Sequence, residues 1–587
     1  MYVTVIQNNP RLGALRENAD KVIAAIDALA ESTYPPDLVI LPAYALTGTP
    51  IEGLQYFDAF AAEALETARS VIERARLTTL VGTMIPRPIV EEMTFICEPE
   101  VLYCKDGKGT ALGFVDIDSS WDEDSYASNI TISIEGHNVS ILLDEYPDPD
   151  EDLSGSEIVV VMLAKEYQGT KMMFTSSDQI GYLRKIAQKN GVWLIVANLV
   201  GAQDESVFDG ASIVIKPDGS VAQALAPFEE GSMSFNINLS QKTAPQSGKK
   251  QKTRYEDALL VRPLLPYEAD WRALELFIRD YIHKNGFTDA VIGLSGGLDS
   301  AVCAVLACDA LGAEHVHGVL MPSRYSSQGS IDDSLSLAEN LGMKTLTLPI
   351  GDIMRAFESV FETSVGKLDE TASALAQQNI QNRIRMTCLM YLSNCFNWMM
   401  VNTSNKSELA MGYSTLYGDS AGALAPLGNI YKTDVYGLAN WRNEQSEVIP
   451  ESTLTKAPSA ELYDGQTDED TLPPYALLDI VLRLHIEEAL GVDQILHCTG
   501  HDPEGEGITG EMIEHILGAV KNAEYKRRHR PVAPTLGYVD MNFERDWPLT
   551  NAFVDRKRGI ILSDSLLDYL GMVKNWKLPG GWDFLAN

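Results

Sequence analysis

Short apolar runs alternate with amphipathic helical segments over the first 240 residues of the chain. The apolar runs predict strands at Tyr2–Ile6, Asp37–Leu41, Thr79–Met84, Val101–Lys105, Ile130–Ile134, Val139–Leu143, Glu157–Leu163 and Trp193–Asn198. Helical periodicity predicts helices at Arg16–Ala30, Phe57–Arg76 and Gln179–Lys189. This alternation, combined with neighbouring β runs, predicts an α/β layered domain.

A polar, basic segment separates this half from the rest of the chain. It reads QKTAPQSGKKQKTR from Gln241 to Arg254, and its Lys, Pro, Gly and Ser content is typical of an exposed linker. We therefore expect an N-terminal domain over residues 1–240, a linker over 241–255 and a C-terminal domain over 256–587. Strands and helices alternate in the C-terminal part, which predicts a Rossmann-like parallel α/β sheet with right-handed connections.

The stretch GLSGGLDS, Gly293 to Ser300, lies between a short apolar strand and an apolar helix. Gly296 and Gly297 tolerate positive φ, so that successive backbone N–H groups can converge on one point. The helix that starts there adds its positive dipole end and its unpaired amides. Asp299 is a hard oxygen ligand suited to Mg²⁺. The pattern predicts a pyrophosphate-binding loop, and the alternative is a turn without a ligand.

The loop resembles the PP-loop of ATP pyrophosphatases, which release pyrophosphate and leave AMP on the substrate. It is not a Walker A loop, because the Lys of that motif is absent. The resemblance implies that ATP is bound by Gly293, Leu294, Ser295, Gly296, Gly297, Leu298, Asp299 and Ser300. Ligands of parallel sheets bind at the carboxyl ends of strands, so Leu320 and Met321, at the end of the strand His315–Met321, are expected to contact adenine.

Five further motifs follow in the C-terminal half. They are NIQNRIR at Asn379–Arg385, TSNKSELAMGYSTLYGD at Thr403–Asp419, LGNIYKT at Leu427–Thr433, PSAEL at Pro458–Leu462 and QTDED at Gln466–Asp470. Together with the loop, they closely resemble the synthetase domain of glutamine-dependent NAD⁺ synthetases. This resemblance covers essentially the whole chain, since members of that family also carry an N-terminal amidase domain. The resemblance implies a Mg²⁺- and ATP-dependent amidation of nicotinic acid adenine dinucleotide through an adenylate, which yields NAD⁺, AMP and pyrophosphate.

The same resemblance implies roles for individual residues. The candidate catalytic residues are Asp299, Glu408, Asp419 and Lys432, and the candidate Mg²⁺ ligands are Asp299 and Glu408. Thr403 is expected to contact ATP, and the dinucleotide is expected to contact Asn379, Arg383, Glu408, Tyr413 and Lys526. Alternatives stay open, since Glu408 suits an exposed helix, Asp419 suits a turn, and Lys432 and Lys526 suit a solvated surface. We assign Arg385 to a structural ion pair.

Three segments of the N-terminal half carry a second resemblance, namely LVILPAYALTGTP at Leu38–Pro50, VSILLDEYPDPDED at Val139–Asp152 and VANLVGAQDESVFDGAS at Val196–Ser212. They resemble the amidase domains of the nitrilase superfamily, which implies an αββα layered fold for this half. Active members use a Glu base, a Lys that stabilises the oxyanion and a Cys nucleophile. On this alignment Ala43 replaces the Glu, Leu143 replaces the Cys, and no Lys occurs from Gly109 to Ala164. We therefore expect a degenerate glutaminase, with ammonia as nitrogen donor or a separate glutaminase as its source.

The amino-acid composition limits the classes of molecule that the chain is expected to bind. The formal net charge of −36 argues against broad binding to nucleic acid or to an anionic membrane. The seven Cys lack paired spacing, which indicates reduced thiols. Because the sequence shows neither a signal segment nor a long apolar run, we expect a cytoplasmic protein. The family resemblance implies a homo-oligomer.

Three other functions remain as alternatives. A slip in the N-terminal alignment would leave a functional glutamine-dependent synthetase. The loop alone is also compatible with another ATP pyrophosphatase, such as a GMP-synthetase-like enzyme. The third alternative is a non-enzymatic regulator that binds dinucleotide. The retained ionisable groups of Asp299, Glu408 and Lys432 favour an enzyme.

Overall fold

The computed structural model describes residues 1–89, 94–105, 107–112, 129–143, 146–148, 151–169, 176–238, 264–366, 370–499 and 507–536. The chain forms two compact units, Met1–Leu265 and Pro266–Asn587. Residues 241–255, where a linker is predicted, lie outside the described residues. The proposed domain boundaries therefore stay a prediction.

In the residues that the structure describes, the first unit contains two mixed sheets and three α-helices. Its strands are β1 (Tyr2–Gln7), β2 (Leu38–Ile40), β3 (Thr79–Ile89), β4 (Thr94–Lys105), β5 (Lys108–Ala111), β6 (Ile130–Ile134), β7 (His137–Leu143), β8 (Ile158–Leu163), β9 (Trp193–Asn198), β10 (Val200–Gln203), β11 (Ser206–Asp209), β12 (Ile213–Ile215), β13 (Val221–Ala224) and β14 (Gly231–Asn236). Its helices are α1 (Leu15–Ala30), α2 (Asp58–Arg74) and α3 (Ser176–Asn190). A short hairpin of β10 and β11 stands apart from the two main sheets.

The layers of this unit follow from its apolar clusters. One sheet has the order β14-β1-β2-β3-β4-β5 and the other has the order β13-β12-β9-β8-β7-β6. Val3, Ile40 and Val160 belong to a core that joins strands of both sheets. A second cluster packs α1 and α2 on the first sheet, and a third packs α3 on the other. The unit is thus an α-β-β-α sandwich, as the nitrilase-like pattern predicts.

The second unit is organised around a parallel sheet. Its strands are β15 (Asp289–Leu294), β16 (Val316–Leu320), β17 (Lys344–Thr347) and β18 (Trp398–Val401). Its helices are α4 (Pro266–Lys284), α5 (Leu298–Leu311), α6 (Gln328–Leu341), α7 (Gly351–Val365), α8 (Glu370–Phe396), α9 (Lys406–Met411), α10 (Lys432–Gln445), α11 (Glu451–Thr455), α12 (Tyr475–Ile486), α13 (Val492–Thr499), α14 (Gly510–Asn522) and α15 (Glu524–Arg527).

This sheet has the order β17-β16-β15-β18, and every pairing in it is parallel. The strand order changes direction at β15, which makes that strand the topological switch point. Crevices open at the carboxyl ends of strands at such a point, so the end of β15 at Leu294 is where a ligand is expected. Within the described part of the chain, no helix has the length and apolarity required to cross a bilayer.

Candidate active site

The turn between β15 and α5 contains the glycine that its geometry requires. Gly296 has φ of 77°, and a Cβ atom built on it would lie 2.3 Å from the backbone oxygen of Ser330 in α6. A side chain there would meet both a conformational cost and a backbone clash. Gly296 therefore allows the loop to pack directly against the start of α6.

The rest of the turn presents donors at the start of a helix. Hydroxyl groups of Ser295 and Ser300 lie 3.0 Å apart, and the Gly297 N–H donates to Ser295 Oγ at 3.2 Å. Helix α5 begins after Gly297 without a side-chain cap, so its first amides stay available to a ligand. These amides and the positive end of the helix dipole form an anion site.

A cavity of about 290 Å³ opens beside this turn. Most of the residues selected from the sequence line it, namely Gly293, Leu294, Ser295, Gly297, Leu298, Asp299, Ser300, Leu320, Met321, Thr403, Glu408, Tyr413, Asp419 and Lys432. Gly296, Asn379, Arg383 and Lys526 are not among its lining residues. The cavity thus joins the loop, the carboxyl end of β16 and the segment after β18.

The charged centre of the cavity is an ion pair between Lys432 and Asp299. Lys432 is buried, with 3% of its side chain exposed, and its Nζ forms the ion pair. Its backbone N–H donates separately to Ser407 Oγ at 2.9 Å. Burial lowers the pKa of Lys432, but the charges of Asp299 and Glu408 outweigh this effect and raise the pKa above its usual value. The ammonium group is therefore firmly charged.

Glu408 is placed beside this pair by the first turn of α9. The side chain of Asn405 caps that helix by accepting from the Glu408 N–H at 3.0 Å, and its amide group donates to Asp299 Oδ1 at 3.2 Å. Desolvation and the nearby Asp299 charge raise the pKa of Glu408 well above its usual value. A cation bound between the two carboxylates would relieve this repulsion.

A further carboxylate, Asp468, faces the same centre. It accepts hydrogen bonds from the hydroxyl groups of Tyr413 at 3.2 Å and Tyr475 at 2.9 Å, and burial raises its pKa. The QTDED motif contains Asp468, but spacing gave this residue no role. The sequence predicts no role for Asp468 or Asn405, although Asp468 lies in the QTDED motif and Asn405 in the segment Thr403–Asp419.

Asp419 lies at another part of the cavity wall. The Thr415 N–H donates to one of its oxygens at 2.5 Å, and Asn382 Nδ2 donates to the other at 2.9 Å. Its side chain is accessible from the cavity, yet desolvation by the enclosing protein raises its pKa to about 6. Asp419 is therefore ionised at neutral pH and able to take up a proton just below it.

Three predicted substrate residues hold the neighbouring chain segment instead of lining the cavity. Asn379 accepts from Thr415 Oγ1 at 2.9 Å, and Arg383 Nε donates to the Leu416 oxygen at 3.1 Å. Lys526 Nζ donates to the oxygens of Gly412 at 2.7 Å and Ser414 at 2.8 Å. They fix the segment 412–416 that carries Tyr413, and their contact with a substrate stays a prediction.

The assignment of Arg385 to an ion pair is wrong. Among the described residues no carboxylate lies within 4.0 Å of its guanidinium group, which donates instead to the Met321 oxygen at 3.1 Å and to Asn382 Oδ1 at 3.2 Å. Arg385 also lines the cavity. The sequence gives no direct signal for this, because Arg383 and Arg385 both lie on α8 and only packing decides which faces the cavity.

Ala43 and Leu143, the positions predicted to mark a degenerate glutaminase, both lie in the first unit. Ala43, which is fully buried, and the partly buried Leu143 belong to one apolar cluster with Tyr44, Phe60 and Met84. Ala43 follows β2, and Leu143 ends β7. Ala43 and Leu143 thus lie in contact with one apolar cluster, and their correspondence to triad positions stays a prediction.

Comparisons with known proteins place these observations in a family. The model of the NAD synthase family matches residues 270–530. The glutamine-dependent NAD(+) synthetase of Aquifex aeolicus is 36% identical, in an alignment that covers 94% of this chain and 100% of that protein.

Two solved structures are similar over nearly the whole chain. The glutamine-dependent NAD+ synthetase of Acinetobacter baumannii, in complex with adenosine diphosphate, has a TM-score of 0.66 and 26% identity, and the match covers 94% of this chain and 99% of that one. The enzyme of the same description from Cytophaga hutchinsonii has a TM-score of 0.74 and 17% identity, with 98% and 99% covered. The second likeness supports the fold alone.

Proposed function

Because the chain belongs to the family of glutamine-dependent NAD(+) synthetases, which are ligases that form a carbon–nitrogen bond, we propose that it makes NAD⁺ from nicotinic acid adenine dinucleotide, ATP and free ammonia. The ammonia donor is the part of this proposal that departs from the relatives. It is carried by one observation, the apolar cluster that contains Ala43 and Leu143. Neither side chain offers a base or a nucleophile for releasing nitrogen from glutamine.

The cavity of the second unit supports adenylation. ATP is proposed to place its pyrophosphate on the turn at residues 295–300 and its adenine near Leu320 and Met321. The donor set also suits Mg²⁺, which commonly binds through one or two carboxylates together with substrate phosphates. Asp299 and Glu408 would hold it, and their mutual repulsion favours a cation between them. When bound, Mg²⁺ supplies charge neutralisation to the phosphates.

The reaction then follows in two steps. A carboxylate oxygen of the nicotinate attacks the α-phosphorus of ATP, and the bond from that phosphorus to the pyrophosphate oxygen breaks. The ammonia nitrogen attacks the activated carbonyl carbon, the carbon–oxygen bond to AMP breaks, and the nitrogen loses a proton. Lys432 would neutralise phosphate charge, and Asp419, with its pKa of about 6, would be ionised at neutral pH and able to accept the proton.

The nitrogen donor is tested by assaying NAD⁺ formation by the purified protein with ammonium chloride or with glutamine. We expect turnover with ammonium and none with glutamine, and Asp299→Asn should abolish the ammonium-dependent rate as a control against contaminating synthetase. Glutamine-dependent turnover at a comparable rate would contradict the proposal.

A separate glutaminase acting in trans is the second source of nitrogen that we consider. Adding an unrelated purified glutaminase to the glutamine assay should restore turnover, because this enzyme would need only the ammonia released into solution. A specific partner would instead co-purify with the chain and support glutamine-dependent rates that exceed those of the unrelated enzyme.

A further inference from the structure

The cavity wall carries more negative than positive side chains. Its carboxylates are Asp299, Glu408, Asp419, Glu461 and Asp468, whereas its cations are Arg385, Lys432 and Lys456. Two of these cations already have a carboxylate partner, since Lys432 pairs with Asp299 and Lys456 pairs with Asp333 at 2.8 Å. Their charges are thus shared between a protein carboxylate and any phosphate, so a polyanionic nucleotide entering this cavity gains most from a further cation that has no ion-pair partner.

Among the cations that line the cavity in the described part of the chain, Arg385 meets this condition. Its hydrogen bonds go to two uncharged oxygens, those of Met321 and the Asn382 side chain, and no described carboxylate lies within ion-pair distance. Burial lowers its pKa to about 10, although the charges of Asp419 and Glu461, which lie beyond ion-pair distance, act to raise it. An anion that enters the cavity would compensate this charge.

The contacts of Arg385 also locate it between two regions of the cavity. Its Nε atom donates to the backbone oxygen of Met321, the residue that follows β16, on the side proposed for adenine. Through Asn382, which donates to Asp419 at 2.9 Å, it is connected to the side proposed for the nicotinate and ammonia. The α-phosphate is the part of ATP that must lie between these two sides, because it is attacked by the nicotinate carboxylate.

We infer that Arg385 is a catalytic residue that binds the α-phosphate of ATP and stabilises the charge on it during adenylation. This inference rests on the proposed function. In the step, the nicotinate oxygen forms a bond to the α-phosphorus while the bond to the pyrophosphate oxygen breaks, and the guanidinium group donates hydrogen bonds to the non-bridging oxygens without transferring a proton. Its planar fork suits two such oxygens better than a Lys ammonium does.

The first test measures binding and needs no turnover. The dissociation constants of adenosine and of AMP are compared for the wild-type protein, Arg385→Ala and Arg385→Lys by calorimetry. A charge-assisted hydrogen bond to the phosphate should make AMP bind about 10-fold to 100-fold more tightly than adenosine in the wild type. Arg385→Ala should bring this ratio close to one, and Arg385→Lys should retain part of it.

The second test measures the adenylation step by exchange of labelled pyrophosphate into ATP in the presence of the deamido dinucleotide. Arg385→Ala should lower the maximal exchange rate by about 10²-fold to 10³-fold, as is usual for the loss of one preorganised donor. Arg355→Ala removes an exposed arginine of α7 and should leave the rate unchanged within about two-fold, as a matched control. Thermal unfolding of each variant checks that it is folded.

The two tests separate the inference from the proposed function. An AMP-to-adenosine ratio that stays at the wild-type value in Arg385→Ala overturns the role of Arg385, whatever the exchange assay gives. A loss confined to the KM for ATP, with the maximal exchange rate unchanged, also overturns it. If the wild type shows no exchange while the ratio collapses in Arg385→Ala, the phosphate contact stands and the proposed reaction fails.

Discussion

The charge at Lys432 is stabilised by a set of carboxylates that would repel one another without it. Asp299 forms an ion pair with Lys432, and the charge of Glu408 also raises the pKa of Lys432. The charge of Lys432 in turn lowers the pKa of Asp468, against the effect of burial. Removing one member of such a group leaves uncompensated charge in a poorly solvated place. The residues therefore act as a unit.

Replacing Lys432 by Met should lower the rate of ammonium-dependent NAD⁺ formation by about 10²-fold to 10³-fold, because both phosphate neutralisation and the charge balance around Asp299 are lost. Steady-state kinetics at saturating ATP measures the effect. Lys432→Arg keeps the charge and should lose less. Equal losses in the two variants would show that shape, not charge, matters at this position.

Asp419 predicts a pH dependence. Desolvation raises its pKa from an ordinary value of about 3.9 to about 6. Between about pH 4 and about pH 6 the carboxyl group therefore loses its proton in the unfolded chain but keeps it in the folded protein, which disfavours the charged form. The folded state thus loses, and does not gain, stability from this group over that window. If the carboxylate form accepts the proton, the rate should fall about tenfold per pH unit below about pH 6.

This profile is measured with total ammonium adjusted so that the concentration of free ammonia stays constant. Asp419→Asn should show a lower rate without the inflection near pH 6. A wild-type rate that stays constant between pH 7 and pH 5 under these conditions would exclude Asp419 as the proton acceptor.

At the scale of elements, local backbone rules decide where strands and turns form. Strand β3 continues to Ile89 through Pro86 and Pro88, although proline ordinarily interrupts a strand. It pairs with β2 at Thr79 and Leu80 alone and with β4 along its whole length. Among the described strands, nothing pairs with the other edge of β3 beyond Leu80. Backbone N–H groups two residues apart point to the same edge of a strand, so the two prolines can both lack an N–H on the unpaired edge, where no hydrogen bond is lost.

The turn before α5 provides a test of the loop geometry. Gly296→Ala should lower adenylation by about 10²-fold, because a Cβ atom 2.3 Å from the Ser330 oxygen forces the phosphate-binding turn away from its position. Gly297→Ala is the matched control, since φ there is −80° and its new Cβ would meet only Ser295 Oγ at 3.2 Å. Pyrophosphate exchange compares the two variants, and equal effects would contradict this account.

At the scale of the molecule, the two units differ in what their ionisable groups do. The second unit gathers carboxylates and cations around one cavity. In the first unit, Ala43 and Leu143, which we propose to stand at two positions of a lost triad, are part of an apolar cluster. The packing of this unit rests on apolar cores between and outside its two sheets.

Restoring a carboxylate at one of these positions should destabilise the first unit without restoring glutaminase activity. Ala43 is fully buried, and an unpaired Glu there should cost about 3 kcal/mol or more. Calorimetry should show a lower first unfolding transition for Ala43→Glu, and Ala43→Gln controls for size without charge. Glutamine-dependent turnover in Ala43→Glu combined with Leu143→Cys would instead show that the old site is still open.

The sequence by itself determined the alternation of strands and helices, the glycine turn and the family motifs, because these depend on residues that are close along the chain. The turn at Gly293–Ser300 is one such feature, since its backbone preferences and its helix start are local. The absence of Lys between Gly109 and Ala164 is another, since it is a property of the sequence and does not depend on how the chain folds.

Only the tertiary structure decided which ionisable groups share a site. Asp299 and Lys432 are 133 residues apart and meet because their helices pack around the end of β15. Arg385 lines the cavity and Arg383 does not, although they lie two residues apart on α8. Spacing along a helix restricts the directions of side chains but does not say which direction the fold encloses, since that is set by packing between elements far apart in the chain.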